Sequence, residues 1–342
     1  MRQVADVPAM DGRHHEAMTT MTLPFTIRDA TPTDFPRLAE LLSATWPDAI
    51  TTAEGLAEED RERDPTCHIE RFVTEQDGVI HGLAVIEQAP GMYHPRKFIA
   101  WLRVHPDFEG RGVGSALYAE LERRLGALNA LSYISFTRED HVGGMRFLAR
   151  RGFTEKMRYF ESRLDVAAFD FTAWHDVVPN VEANGFEIKA WADFPDDAAH
   201  RRKFYELFAE LREDVPRPEP ATPVSYEQWT KWVFESPYFI PEANFIAVDT
   251  RTDTWAGYSA LWRPDAGEYL STGLTGVHRA YRRNKLALAM KLRAIRHAKD
   301  RGVPEIRTNN ETNNRPMLSI NEALGYVKQP AWVDFVKVLR EE

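Results

Sequence analysis

Apolar and polar positions along this 342-residue chain form one pattern written twice. Pro24–Leu42 (PFTIRDATPTDFPRLAELL) opens as a short strand and turns. Phe35, Leu38, Leu42 and Trp46 then recur at helical spacing. Thr31 is a good N-cap, Pro32 falls at the first helical position, and Asp34 completes a capping box. Gly185–Phe204 (GFEIKAWADFPDDAAHRRKF) repeats the strand, turn and amphipathic helix. Runs with period-2 character follow: Val79–Glu87 and Lys97–Val104 in the first half, then NFIAVDT, WAGYSALW and EYLSTGLTGV in the second. Each half continues with a loop and a long helix. Val113, Leu117, Leu121 and Leu125 share a face of the first such helix, and Leu288, Leu292 and Ile295 a face of the second. A further strand (SYISF; EIRTN) leads to a helix ending in Arg151-Gly152-Phe153 or Leu324-Gly325-Tyr326.

The register of the two copies agrees. Val104 and Gly152 lie 48 positions apart, and so do Val277 and Gly325. Unrelated domains would rarely keep that spacing. The expected division is a disordered leader at 1–22, one β/α unit at 23–164, a helix-prone connector at 165–184 and a second unit at 185–342. Met18 and Met21 are alternative starts. Strands dominate each copy before its long helix, so the expected class is α+β with a mixed, mostly antiparallel sheet flanked by helices.

Apolar residues make up 43% and charged residues 28%, the balance of a soluble globular protein. No apolar run approaches the roughly 20 residues of a membrane span. Cys67 is the single cysteine, so neither an internal disulfide nor a thiolate metal site is available, and the cytoplasm is the expected compartment. A net charge of -9 argues against broad nucleic-acid binding and is compatible with a cationic substrate.

Candidate chemistry concentrates where LRV runs into HPDFEGRGVGSALYAEL. Gly110, Gly112 and Gly114 let a backbone turn press its N–H groups against an anion, the following helix adds its dipole, and Arg111 adds a full charge. A Walker loop is excluded, because no Gly-Lys-Ser/Thr stands at the helix start. A dinucleotide fingerprint is also excluded, because Ser115 replaces the last glycine and the loop follows at least three strands.

Glu109, Gly112 and Gly114 fit Q/R-x-x-G-x-G/A with Glu in first place, and with VHPDF before, ALY after and the RGF and LGY ends, the chain resembles the GNAT superfamily of N-acetyltransferases. The resemblance covers both halves and implies two tandem GNAT folds. It implies acetyl-CoA, or another short acyl-CoA, lying where two central strands splay, and no metal. Leu102 and Val104 would then hold the pantetheine arm, and Glu109, Gly110, Arg111, Gly112, Val113, Gly114 and Ser115 the phosphates. The implied reaction is direct attack by an amine on the thioester in a ternary complex. The expected partner is a small-molecule amine, with no nucleic acid or membrane, and the chain is expected to be a monomer or homodimer. A non-catalytic acyl-CoA sensor and a protein or peptide N-acetyltransferase are the alternatives.

Two departures qualify the resemblance. The family's acidic Tyr, four residues before the GF glycine, is Leu148 in the first half and Asn321 in the second. His141, Tyr159 and Glu87 are the candidate acid–base residues in its place, against plainer roles as a helix cap, sheet packing and a solvated strand end. In the second half YRRNKLALAM puts Lys285 where the first glycine belongs, although Arg282, Arg283, Lys285 and Asn314 form a possible second cofactor site. Trp229, Trp232, Tyr238 and Trp262 are available for an acceptor pocket or for the core.

Overall fold

The computed structural model describes residues 25–48 and 50–341, so the leader expected at 1–22 lies outside the described residues. The first half comprises β1 (Thr26–Asp29), α1 (Phe35–Thr45), α2 (Ala53–Glu62), β2 (Ile69–Gln76), β3 (Val79–Glu87), β4 (Lys97–Val104), α3 (Val113–Ala127), β5 (Ser132–Arg138), α4 (Val142–Ala149) and β6 (Thr154–Asp165). After α5 (Val177–Ala183) the order recurs as β7 (Phe186–Ala190), α6 (Ala198–Glu213), α7 (Tyr226–Phe234), β8 (Phe239–Asp249), β9 (Thr254–Trp262), β10 (Tyr269–Val277), α8 (Leu286–Asp300), β11 (Glu305–Glu311) and α9 (Arg315–Ala323). The chain closes with β12 (Val327–Lys328) and β13 (Trp332–Val338).

Local signals account for these boundaries. The Asp34 carboxylate accepts the Thr31 backbone N–H at 2.8 Å and its hydroxyl at 3.1 Å, which closes a turn at Pro32–Asp34 that runs directly into α1. Arg28 grips the same carboxylate at 2.8 Å and holds it well below the usual carboxylate range. Val113, Leu117, Leu121 and Leu125 are all buried on α3, as their spacing predicts. Trp46 falls just past the end of α1 and turns toward the central strands, out of the helical face assigned to it.

The strands join into one mixed sheet in the order β1-β2-β3-β4-β5-β13-β6-β11-β10-β9-β8-β7, with β12 beside β6. The halves exchange strands. β6 leaves the first half to pair antiparallel with β11, from Asp165↔Glu305 to Tyr159↔Glu311. The last strand, β13, inserts antiparallel between β5 and β6. Its pleat sends Val333 and Phe335 into the core around α3 and turns Trp332 and Asp334 to the opposite face. Lys337 secures the far end, donating to the Tyr118 hydroxyl at 2.6 Å and to Glu122 at 3.0 Å, where Tyr133 also donates at 2.6 Å.

Asp334 sits buried opposite Phe136 and Met157, and desolvation pushes its carboxyl up to about 6. A raised folded value means that the native state holds a proton the unfolded chain has lost between about pH 4 and 6. Asp334 therefore weighs least on stability below pH 4, and stability falls as pH rises through 6. Asp334→Asn should stabilise the protein by up to roughly 3 kcal/mol at pH 8 and by almost nothing at pH 4. Urea unfolding at the two pH values checks this; an equal effect at both would refute it.

Candidate active site

β4 and β5 run parallel but pair over three positions only, Lys97↔Ser132, Phe98↔Tyr133 and Ile99↔Ile134. Beyond Ile99 they diverge around a cavity of about 710 Å³, walled by Ala100–Val104 on one side and Ser135–Thr137 on the other. Divergence leaves strand N–H and C=O groups without ladder partners, so the wedge has a lining of backbone donors and acceptors. Leu102, Val104, Glu109, Gly110, Gly112, Gly114 and Ser115 all line this cavity. Val113 is instead buried in the core, and Arg111 is exposed with its guanidinium 5.2 Å from the Phe108 ring.

The glycines are needed for conformation and for space. Gly110 and Gly112 have φ of +72° and +85°, and a Cβ built on either meets nothing within 4 Å. An open concavity therefore stands over the N-terminus of α3, where backbone N–H groups and the helix dipole favour a phosphate. The residues fit the pyrophosphate of an acyl-CoA. The sequence reading missed Arg151 beside this loop, because RGF was read for register and not for charge. Its guanidinium lies 3.5 Å from the Phe147 ring and donates to the Ser115 hydroxyl at 3.1 Å.

In the second half β10 and β11 diverge after a matching three-residue parallel ladder. Arg283 and Lys285, each 173 positions after Gly110 and Gly112, keep the left-handed backbone with φ of 69° and 59°. That conformation costs roughly 1–2 kcal/mol for each residue bearing a Cβ. The loop shape persists while side chains stand where the first half has open space. Asp214 binds Arg282 and holds Arg279 at 2.7 Å, so Arg282 is already committed to a carboxylate. Asn314 occupies the N-cap of α9 without a side-chain cap bond.

The candidate acid–base residues separate in space. His141 lines the cavity at the start of α4, with Nε2 3.9 Å from Glu109 of the glycine loop and Nδ1 3.3 Å from the Thr137 hydroxyl. Glu87 lines a second cavity of about 580 Å³, accepts the Trp101 indole N–H at 3.2 Å and lies 3.6 Å from Arg63. Tyr159 borders neither cavity; burial and the Asp334 charge hold its phenol well above the usual range. Leu148, at the place of the family Tyr, is an apolar part of the first cavity wall.

Trp101 and Phe136 line both cavities, so the two spaces adjoin, with these rings between them. The second also receives Glu59, Glu62 and Asp64, together with Trp232 from the other half of the chain. Burial pushes the carboxyls of Glu59 and Glu62 up, and Glu87 acts on Glu59 in the same direction. Of the other aromatic candidates Trp229 is core, Trp262 packs on Phe239 with centroids 5.4 Å apart, and the Tyr238 hydroxyl lies 3.4 Å from Asp265. Among the described residues no group of three or more His, Cys, Asp or Glu side chains is arranged to hold a metal, and no helix is long and apolar enough to cross a membrane.

The model of the Acetyltransferase (GNAT) family matches residues 35–153 and 202–326, taking in both wedges and both loops. This chain belongs to the GNAT family. As a GNAT acetyltransferase it is 25% identical over 271 residues to the mycothiol acetyltransferase of Thermobifida fusca (strain YX), across 76% of this chain and 79% of that one. Its fold matches a GCN5-related N-acetyltransferase from Sphaerobacter thermophilus with a TM-score of 0.70 at 18% identity, over 94% and 98% of the two chains. A tandem GNAT protein from the clavulanic acid biosynthesis pathway gives 0.74 at 20% identity, over 93% and 99%. The tandem GNAT architecture expected from the repeat is thereby established, and the family generally uses acetyl-CoA.

Proposed function

We propose that this GNAT acetyltransferase carries an acetyl group from acetyl-CoA, or another short acyl-CoA, to the primary amine of a small molecule by direct attack while both are bound. The observation that carries the reading is that two cavities adjoin at Trp101 and Phe136. A donor in the glycine-fronted wedge and an acceptor in the acidic cavity would face one another there, which a ternary complex requires. The loop from Glu109 to Ser115, with Arg151 beside it, would hold the phosphates. Backbone groups of Leu102 and Val104 would hold the pantetheine arm. Bound there, acetyl-CoA supplies an activated thioester; the chain's task is to place an amine, remove its proton and keep water out.

Glu87 is the proposed base. It lines the acceptor cavity, the Trp101 indole fixes its carboxylate, and Glu59 and Glu62 on the same wall favour a cationic amine. Leu148 offers no proton to a leaving thiolate, and a thiol with a pKa near ~8.5 is a workable leaving group without one. Glu87→Gln should lower kcat about 100-fold with acetyl-CoA affinity unchanged. His141→Gln should change kcat less than about 5-fold, because that ring faces the phosphate loop. Steady-state rates of CoA release on an amine panel, paired with calorimetry, check both, and the reverse ranking would transfer the role of base to His141. Wild-type protein that fails to bind acetyl-CoA would overturn the whole reading.

A further inference from the structure

The first wedge contains a cation that the transfer of an acetyl group does not itself require. Leu102 and Val104 point from β4 toward Gly114 of α3, so the alternation of the strand turns Trp101 and Arg103 to the acceptor side. The Arg103 guanidinium lies 5.3 Å from the Trp46 ring, 5.4 Å from Trp101 and 5.3 Å from Phe136. Its acceptor among the described residues is the Leu102 carbonyl, at 3.0 Å. Arg63 and Arg71, nearby on the same side, each have a carboxylate partner. Among the described residues Arg103 has none, and Tyr159 is the titratable group whose charge bears on it. Desolvation draws it down to about 10, so it remains a cation at neutral pH.

A desolvated guanidinium without a counter-ion is costly, and stacking against rings offsets part of that cost only. The fork has N–H donors to spare and lines the first cavity beside Trp101 and Phe136, the rings that both cavities share. We infer that Arg103 receives a carboxylate carried by the acceptor, so that the amine substrate is an amino acid or a similar amino-carboxylate. The inference rests on the acetyltransferase reading of this site. A planar monoanion suits a bidentate fork between flat rings. The carboxylates of Glu59, Glu62 and Glu87 in the adjoining cavity would hold the ammonium end and disfavour a dianion such as phosphate.

The test titrates each proteinogenic amino acid, and its carboxamide, into the full chain saturated with CoA. Wild type and Arg103→Met are compared by calorimetry, and kcat and KM for acetyl transfer are measured on any pair that binds. At least one free amino acid is expected to bind about 100-fold tighter than its amide, the scale of one charge-assisted bidentate contact. Arg103→Met should erase that ratio, mainly through KM, while Arg103→Lys restores part of it. Arg103→Met should also unfold at no lower urea concentration than wild type, since it removes a half-buried, desolvated charge with no carboxylate partner among the described residues. No carboxylate preference in any pair, or a preference that survives Arg103→Met, overturns the inference and leaves the acetyltransferase reading standing. A donor preference for succinyl-CoA over acetyl-CoA that disappears in Arg103→Met would place the anion on the acyl group and overturn it equally. Loss of acetyl-CoA binding by the wild type would instead remove the parent reading.

Discussion

Deleting residues 329–342 is expected to abolish acetyl-CoA binding, although the glycine loop and both strands of the wedge are left intact in sequence. β13 pairs along all of β5, from Trp332↔Arg138 to Val338↔Ser132, and along half of β6. Without it β5 becomes a bare edge in the middle of a sheet, and the wedge loses the strand that holds one wall upright. Val333 is fully buried and Ala331 and Phe335 nearly so. Burial of each large side chain contributes about 1.5–3 kcal/mol, and the ladder and the Lys337 anchor add to it. The sum is comparable with the roughly 5–15 kcal/mol that stabilises a typical domain. Thermal unfolding followed by circular dichroism, with calorimetry at 10 °C below the new midpoint, measures the result. A truncated chain that binds acetyl-CoA with undiminished affinity would show that the exchanged strand does not shape the site.

Gly112→Trp has the next largest expected effect, a loss of acetyl-CoA affinity beyond about 1,000-fold with the fold retained. A side chain at φ of +85° costs about 1–2 kcal/mol, which a two-domain chain can absorb, and the first atom added meets nothing within 4 Å. The indole would therefore occupy the concavity over α3 without displacing its neighbours. Lys285→Glu serves as the control. Its loop is already filled by side chains, so acetyl-CoA binding should be unchanged. Loss in Lys285→Glu alone would move the working site to the second half.

Much of this site was legible because its signals are local. A glycine pair before an amphipathic helix defines a backbone turn with spare N–H groups wherever it occurs, and the structure places Gly110 and Gly112 at φ values that glycine adopts freely. The spacing shared by Val104–Gly152 and Val277–Gly325 likewise follows from one unit built twice. Arg103 was not legible. In KFIAWLRV the alternation assigns it to the face opposite Leu102 and Val104, and a charge there reads as solvent-facing. Trp46, Trp101 and Phe136 come from three separate segments to cover it, and no spacing along the chain announces that. Glu87 was a candidate base from the sequence, with a solvated strand end as the plainer reading; the second cavity around it draws on α1, α2 and a tryptophan from the other half.

The sequence by itself determined most of the elements, their repetition, the mixed α+β class and the glycine turn before α3, since an element or a turn depends on neighbours a few positions apart; α2, β2, β6, α7 and β13 were not among them. Tertiary structure decided which strands pair. Period-2 alternation says which face a strand buries and nothing about which edge it joins, so β13 could not be assigned to the first half from its own residues. Because the halves repeat, either C-terminal strand fits either slot in outline. The choice falls to side chains that meet only on assembly, with Lys337 reaching Tyr118 and Glu122, and Val333 and Phe335 filling the core beside α3.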